Sequence, residues 1–136
     1  MTFLQKTALA VAGVTAFGIG LFILLAPHAF YASYGIALGP DPSLLSELRA
    51  PGAGLAGIGA VMLAGLVRPV LRQAAVVAAL TVFLAFPAGR VLGILADGAP
   101  SGGILVALVL ELAIAALCLV AFRRGTGPAV SAIAAR

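Results

Sequence analysis

Residues Ser43–Val67 read SLLSELRAPGAGLAGIGAVMLAGLV. The stretch starts polar, carries Glu47 and Arg49, and then runs apolar and Gly-rich to Arg68. About 20 apolar residues are enough to cross a bilayer as a helix, so it reads as a membrane helix with a charged outer end. Asp41 or Ser43 can cap its start by accepting from free N–H groups. Pro51 removes one backbone donor and predicts a kink near Glu47.

The rest of the chain has the same character. Of its 136 residues, 63% are hydrophobic and 9% charged, whereas a soluble domain carries about 25% charged residues. The net charge of +4 does not point to nucleic acid, because the basic residues are isolated between apolar runs and form no patch. The chain reads as a single transmembrane domain over 1–136, all-α, an integral membrane bundle of four transmembrane helices. The spans are expected at about 7–25, 43–67, 74–96 and 104–122, with 125–136 a short tail. The first apolar stretch exceeds the usual signal-peptide core of about 7–15 residues, so it is expected to be retained as a span.

With the N-terminus inside, Lys6, Arg68, Arg72, Arg123, Arg124 and Arg136 lie on the cytoplasmic side. Asp41, Glu47, Arg49, Arg90 and Asp97 lie on the outer side. Six basic residues against two obey the positive-inside rule and predict cytoplasmic N- and C-termini.

Between the first two spans, Pro27 to Pro42 (PHAFYASYGIALGPDP) is broken by glycines and prolines. Phe30, Tyr31 and Tyr34 suit the headgroup region, where amphipathic rings sit. His28 reads as an interfacial residue. Arg68–Gln73 and Asp97–Gly103 (DGAPSGG) are short enough to make antiparallel hairpins of the spans they join.

Small residues mark two helix-packing faces, since they let backbones approach in lipid. One is Ala53, Ala56 and Ala60 with Gly52 and Gly57 beside them, and it carries Arg49. The other is Ala85, Gly89 and Gly93. Neither Cys118, alone in an apolar run, nor the single histidine offers a metal site, and no cofactor is implied. There is no catalytic motif. Gly52–Gly59, GAGLAGIG, lacks the preceding strand of a dinucleotide fingerprint and reads as helix packing.

Four charges remain: Glu47, Arg49, Arg90 and Glu111. Arg90 lies roughly 9 Å, and Glu111 roughly 10–12 Å, from the outer ends of adjacent helices at 1.5 Å per residue. An Arg90–Glu111 contact is therefore geometrically reasonable. A carboxylate at this depth is costly and faces the bundle interior or a cavity. Two roles stay open. The pair fixes helix register in a non-enzymatic protein, an accessory subunit or homo-oligomer whose partners are met in the bilayer. Alternatively Arg49, Arg90 and Glu111 line an outward-facing site for a small anionic, lipid or quinone-like ligand, in a binder or transporter.

Glu47-Leu48-Arg49 before Gly-rich Pro51–Gly59, Gly89-Arg90 with Asp97-Gly98, and Glu111-Leu112 resemble a family of small bacterial four-helix membrane proteins classed as a domain of unknown function. The resemblance covers roughly Thr7 to Arg124, and the layout is similar to that of the DoxX-like class. It implies four helices in a bacterial inner (plasma) membrane and carries no activity.

Overall fold

The structure, a computed structural model, describes residues 1–123. The expected tail at 125–136 and the basic residues Arg124 and Arg136 lie outside the described residues.

Helix α1 spans Phe3–Leu25, α2 Pro27–Ala32, α3 Pro42–Val67, α4 Arg72–Asp97 and α5 Gly102–Phe122. A 3-10 turn at Pro69–Leu71 joins α3 to α4. Helices α1, α3, α4 and α5 are each long and apolar enough to cross a membrane. Their starts follow local chemistry. Thr2 and Gln5 form a reciprocal capping box on α1, with Gln5 N–H donating to Thr2 Oγ1 at 3.2 Å and Thr2 N–H to Gln5 Oε1 at 3.0 Å. At α3, Asp41 accepts from the Ser43 N–H at 3.0 Å, and Pro42 occupies the first turn, where no donor is needed. Both Pro51 and Pro87 lie within continuous helices.

The four long helices alternate in direction. The most extensive packing is α1 on α3, and the ring closes through α3–α4, α4–α5 and α5–α1. The α1–α3 crossing is a backbone contact. A Cβ at Gly20 would lie 2.3 Å from the Ala56 nitrogen and 2.7 Å from the Gly52 oxygen; one at Gly59 would lie 2.4 Å from the Phe17 nitrogen. Such an approach gains dispersion contact where lipid offers no hydrophobic driving force between helices.

This crossing corrects the expected packing face of α3. Gly52 and Ala56 are buried in it, joined by Leu55, Gly59, Met62 and Gly65, while Ala53, Gly57 and Ala60 are exposed. The expected α4 face is corrected as well. Ala85 and Gly89 are exposed, Gly93 is half-buried, and a Cβ at either glycine would meet nothing within 4 Å. Helix α4 packs instead through Ala75, Ala79, Val82, Phe83 and Pro87, a stripe at helical spacing.

The core is concentrated at the end holding the α1 N-terminus. Leu9, Ala12, Met62, Ala75, Ala79 and Cys118 are fully buried there and fill the space between the helices. The other end is different: the helices there leave a cavity, and α2 lies across it.

Candidate functional site

Glycines and prolines predict an irregular segment between α1 and α3, with its aromatic rings at the headgroups. Its first part is α2 instead, started by Pro27 at the first helical position. The end of α2 is a Schellman turn. Gly35 takes φ +76°, its N–H donates to the Ala32 oxygen at 3.0 Å, and the Ile36 N–H donates to the Tyr31 oxygen at 3.0 Å. A side chain is disfavoured at that φ, so glycine is what lets the chain fold Ile36 back over Tyr31.

The rings of α2 turn inward. Phe30 is buried, with its ring edge-to-face on Phe22, Tyr31 and Tyr34 at centroid distances of 5.4, 5.2 and 5.1 Å. Ser101, at the α4–α5 turn, donates its hydroxyl to the Tyr34 backbone oxygen at 2.8 Å. Gly103 leaves room for the Tyr34 ring, which a Cβ there would approach to 3.1 Å. The α2 segment is thus tied to the start of α5 and roofs the bundle. His28 stays exposed, with Nε2 3.3 Å from the Gly39 oxygen.

Beneath this roof lies a cavity of about 430 Å³, within the range of small-molecule sites. Ile19 and Ile23 of α1, Leu55 of α3, Val82 and Phe83 of α4, and Ala107 of α5 make most of its wall apolar. Most of its polar groups, Tyr31, Tyr34, Arg90 and Glu111, gather towards α2, while Thr15 lies one turn before Ile19 on α1. The packed core closes its far end. Its flank is open, because the lining residues Val106, Leu110 and Phe86 are 70%, 50% and 43% exposed in mid-helix.

The short α4–α5 turn brings Arg90 and Glu111 to similar depth, and the two meet. Arg90 Nε donates to Glu111 Oε2 at 2.9 Å and Oε1 at 3.1 Å, and Nη2 donates to Oε1 at 3.0 Å. Their side chains are 25% and 11% exposed. A forked arginine–carboxylate pair is the strong form of this bond. Guanidinium has five N–H groups, of which Nε–H and one on Nη2 are used. The three others have no partner among the described residues. Arg90 also borders a second, outward notch with Gly93, Ile94, Asp97 and Pro100. It therefore stands between the cavity and the end of the bundle that holds the α4–α5 turn.

The two other expected site residues lie elsewhere. Arg49 faces α1, donating from Nη1 to the Leu24 oxygen, one of the free carbonyls at the α1 C-terminus. A cation is favourable at that end of a helix dipole. The expectation of Arg49 and Arg90 in one wall is thereby corrected: Arg49 borders a separate depression with Leu24, Leu45 and Ala53. Glu47 is exposed and makes no hydrogen bond or ion pair among the described residues.

Tyr31 and Tyr34 are the site residues that sequence reasoning missed. The signal was present: Pro27 opens a helix, Gly35 closes it, and Phe30 and Tyr34 are one turn apart. The Tyr31 phenol is raised above its ordinary pKa by burial and by neighbouring Tyr34, with the Arg90 charge opposing both. It is thus a neutral hydroxyl near neutral pH, able to donate into the cavity. Among the described residues no cluster of His, Cys, Asp and Glu is suited to a metal ion.

Residues 4–122 match the profile of a domain of unknown function, DUF4345. No curated protein and no solved structure is detectably similar. Since the match spans nearly all of the chain, the protein belongs to the DUF4345 family.

Proposed function

We propose that the protein binds a small amphipathic molecule in the cavity beneath α2, and that this molecule enters sideways from the lipid phase. The observation that carries this reading is the shape of the site. One end is filled by core residues, the other is roofed by Tyr31 and Tyr34, and the flank is open beside Val106 and Leu110. A closed far end favours binding over conduction. An apolar wall with a few convergent polar groups is the usual make-up of a ligand site, and no nucleophile with an activating base is evident for an enzyme.

A second reading is an accessory subunit or homo-oligomer, held together in the bilayer. It draws on one observation: Ala53, Gly57 and Ala60 on α3, with Ala85 and Gly89 on α4, are small residues turned outward. Small surfaces of this kind permit close helix approach to another chain.

Native mass spectrometry of the gently extracted protein separates the two. The binding reading expects a non-covalent small-molecule adduct that disappears in Ala107→Phe, where the ring fills the cavity. A second copy or a foreign chain, with no adduct, supports the accessory reading and counts against the first.

The membrane we assign is a bacterial inner (plasma) membrane, with the layout of the DoxX-like class and cytoplasmic termini. Lys6, Arg68, Arg72 and Arg123 support this orientation, as they share one end of the bundle. Tags at the two termini should both resist protease in right-side-out vesicles; cleavage of either tag reverses the assignment.

A further inference from the structure

We infer that the cavity selects an uncharged head group bearing carbonyl oxygen and discriminates against anions of the same size. The inference rests on the cavity being a binding site, as read above.

An arginine in a mostly apolar cavity ordinarily attracts a carboxylate or phosphate. Here that attraction is already spent. Glu111 occupies Nε and Nη2, one of the two edges by which guanidinium grips an anion with two bonds, and its carboxylate neutralises the charge for the Nη1–Nη2 edge that stays open. A second anion would meet a neutralised guanidinium with a carboxylate beside it, and like charges at close range repel strongly where the dielectric is low. Net electrostatic recognition of an anion is therefore lost, while hydrogen-bonding capacity is kept. Three Arg90 N–H groups have no partner among the described residues, and none of the Arg90 nitrogens is both buried and unsatisfied. The Tyr31 and Tyr34 hydroxyls add two more donors at the same end.

The donors gathered there call for acceptors on the ligand. An uncharged carbonyl accepts from arginine and from a phenol without bringing a charge. It also crosses the apolar flank more readily, because an ion would be desolvated on the way in. The rest of the wall, Ile19, Ile23 and Leu110 among it, suits an apolar tail reaching the open flank. The carbonyl has two possible sources, a planar ring of the quinone class or an ester or ketone on an acyl chain. Five of the nine aromatic residues line the cavity, which offers faces for a ring.

The test uses the full chain in detergent micelles and reads the shift in unfolding temperature with probe concentration. The probes are a medium-chain methyl ketone, the alkylsulfonate of the same chain length, and a short-tailed benzoquinone. At least one carbonyl probe should stabilise the protein saturably, and Ala107→Phe should abolish the effect. The sulfonate should bind roughly tenfold more weakly or worse. A tighter benzoquinone assigns the ring source, and a tighter ketone the acyl source. In Glu111→Gln, the amide oxygen still accepts from Arg90 but no longer neutralises it, so the preference should turn towards the sulfonate.

Wild-type protein that binds the sulfonate as tightly as the carbonyl probes overturns the inference and leaves the cavity reading standing. If no probe binds in a way that Ala107→Phe removes, both fall. Should Glu111→Gln fail to fold, the wild-type comparison decides by itself.

Discussion

Gly20→Ala should unfold the bundle or lower its unfolding temperature by roughly 10 °C or more, whereas Gly18→Ala, on the same helix, should be neutral or slightly stabilising. The expected size combines two scales: overpacking costs about 1–3 kcal/mol and more where nothing can yield, and each kcal/mol shifts Tm by several degrees in a chain of this length. The added methyl at Gly20 meets the Ala56 nitrogen at 2.3 Å, the Gly52 oxygen at 2.7 Å and the Ala56 Cα at 2.8 Å. All three are backbone atoms within a helix, so no rotamer change relieves the clash. The whole of α1 must move off α3, which opens the most extensive helix–helix interface of the bundle. At Gly18 a Cβ meets nothing within 4 Å, so only helix propensity changes, by up to about 1 kcal/mol in favour of alanine. Circular dichroism of both variants during heating checks the pair. Equal behaviour would mean that α1 and α3 do not cross at Gly20.

The same crossing explains which parts of the fold were legible in the sequence. The four long helices were, because length and apolar composition mark a helix able to cross a membrane whatever it packs against. Helix faces were not. In a soluble helix the buried stripe is apolar and the rest polar, so periodicity picks out the core. In α3 the outward residues Ala53, Gly57 and Ala60 are as small and apolar as the inward Gly52, Ala56 and Gly59. Hydrophobicity carries no contrast between a neighbouring helix and lipid. A finer difference does separate the faces: glycine at 52 and 59 admits backbone of α1 where an alanine Cβ would hold it off. On α4, the regular step of Ala85, Gly89 and Gly93 similarly hid that bulkier Val82, Phe83 and Pro87 face inward.

At the site, the sequence was informative where charge was involved. A lone carboxylate and a lone guanidinium at matched depth on adjacent helices have few ways to avoid an unpaired charge in an apolar setting, so Arg90 and Glu111 could be connected. Arg49 could not be placed the same way. Its partner is a backbone carbonyl, Leu24, and every helix end offers such carbonyls. The cavity itself was illegible, since it depends on α2 folding back under Ser101 and Gly103, a contact between residues 67 positions apart.

Breaking the Arg90–Glu111 pair from either side should destabilise the protein, with the larger loss coming from Arg90→Met, and the double variant Arg90→Met, Glu111→Leu should recover most of it. Removing one partner of a buried pair typically costs about 3–5 kcal/mol, because the other is left charged and unpaired, whereas an apolar replacement of both is often neutral or stabilising. The asymmetry follows from position. Glu111 is the more buried of the two and sits deep on α5, so a lone carboxylate has nowhere to go. Arg90 borders the outward notch beside Asp97, and its long stem lets a lone guanidinium turn towards that notch and water. Thermal unfolding of the four forms in micelles gives the coupling directly. A Glu111→Leu variant less stable than Arg90→Met would show that the notch does not rescue the arginine. The double variant carries the functional consequence as well. If the pair existed only to hold α4 against α5, a folded double variant would lose nothing else. If it forms part of the polar end of a ligand site, that variant folds, keeps its cavity, and prefers a carbonyl-bearing probe over the plain alkane of equal length by a smaller margin, held only by the Tyr31 and Tyr34 hydroxyls.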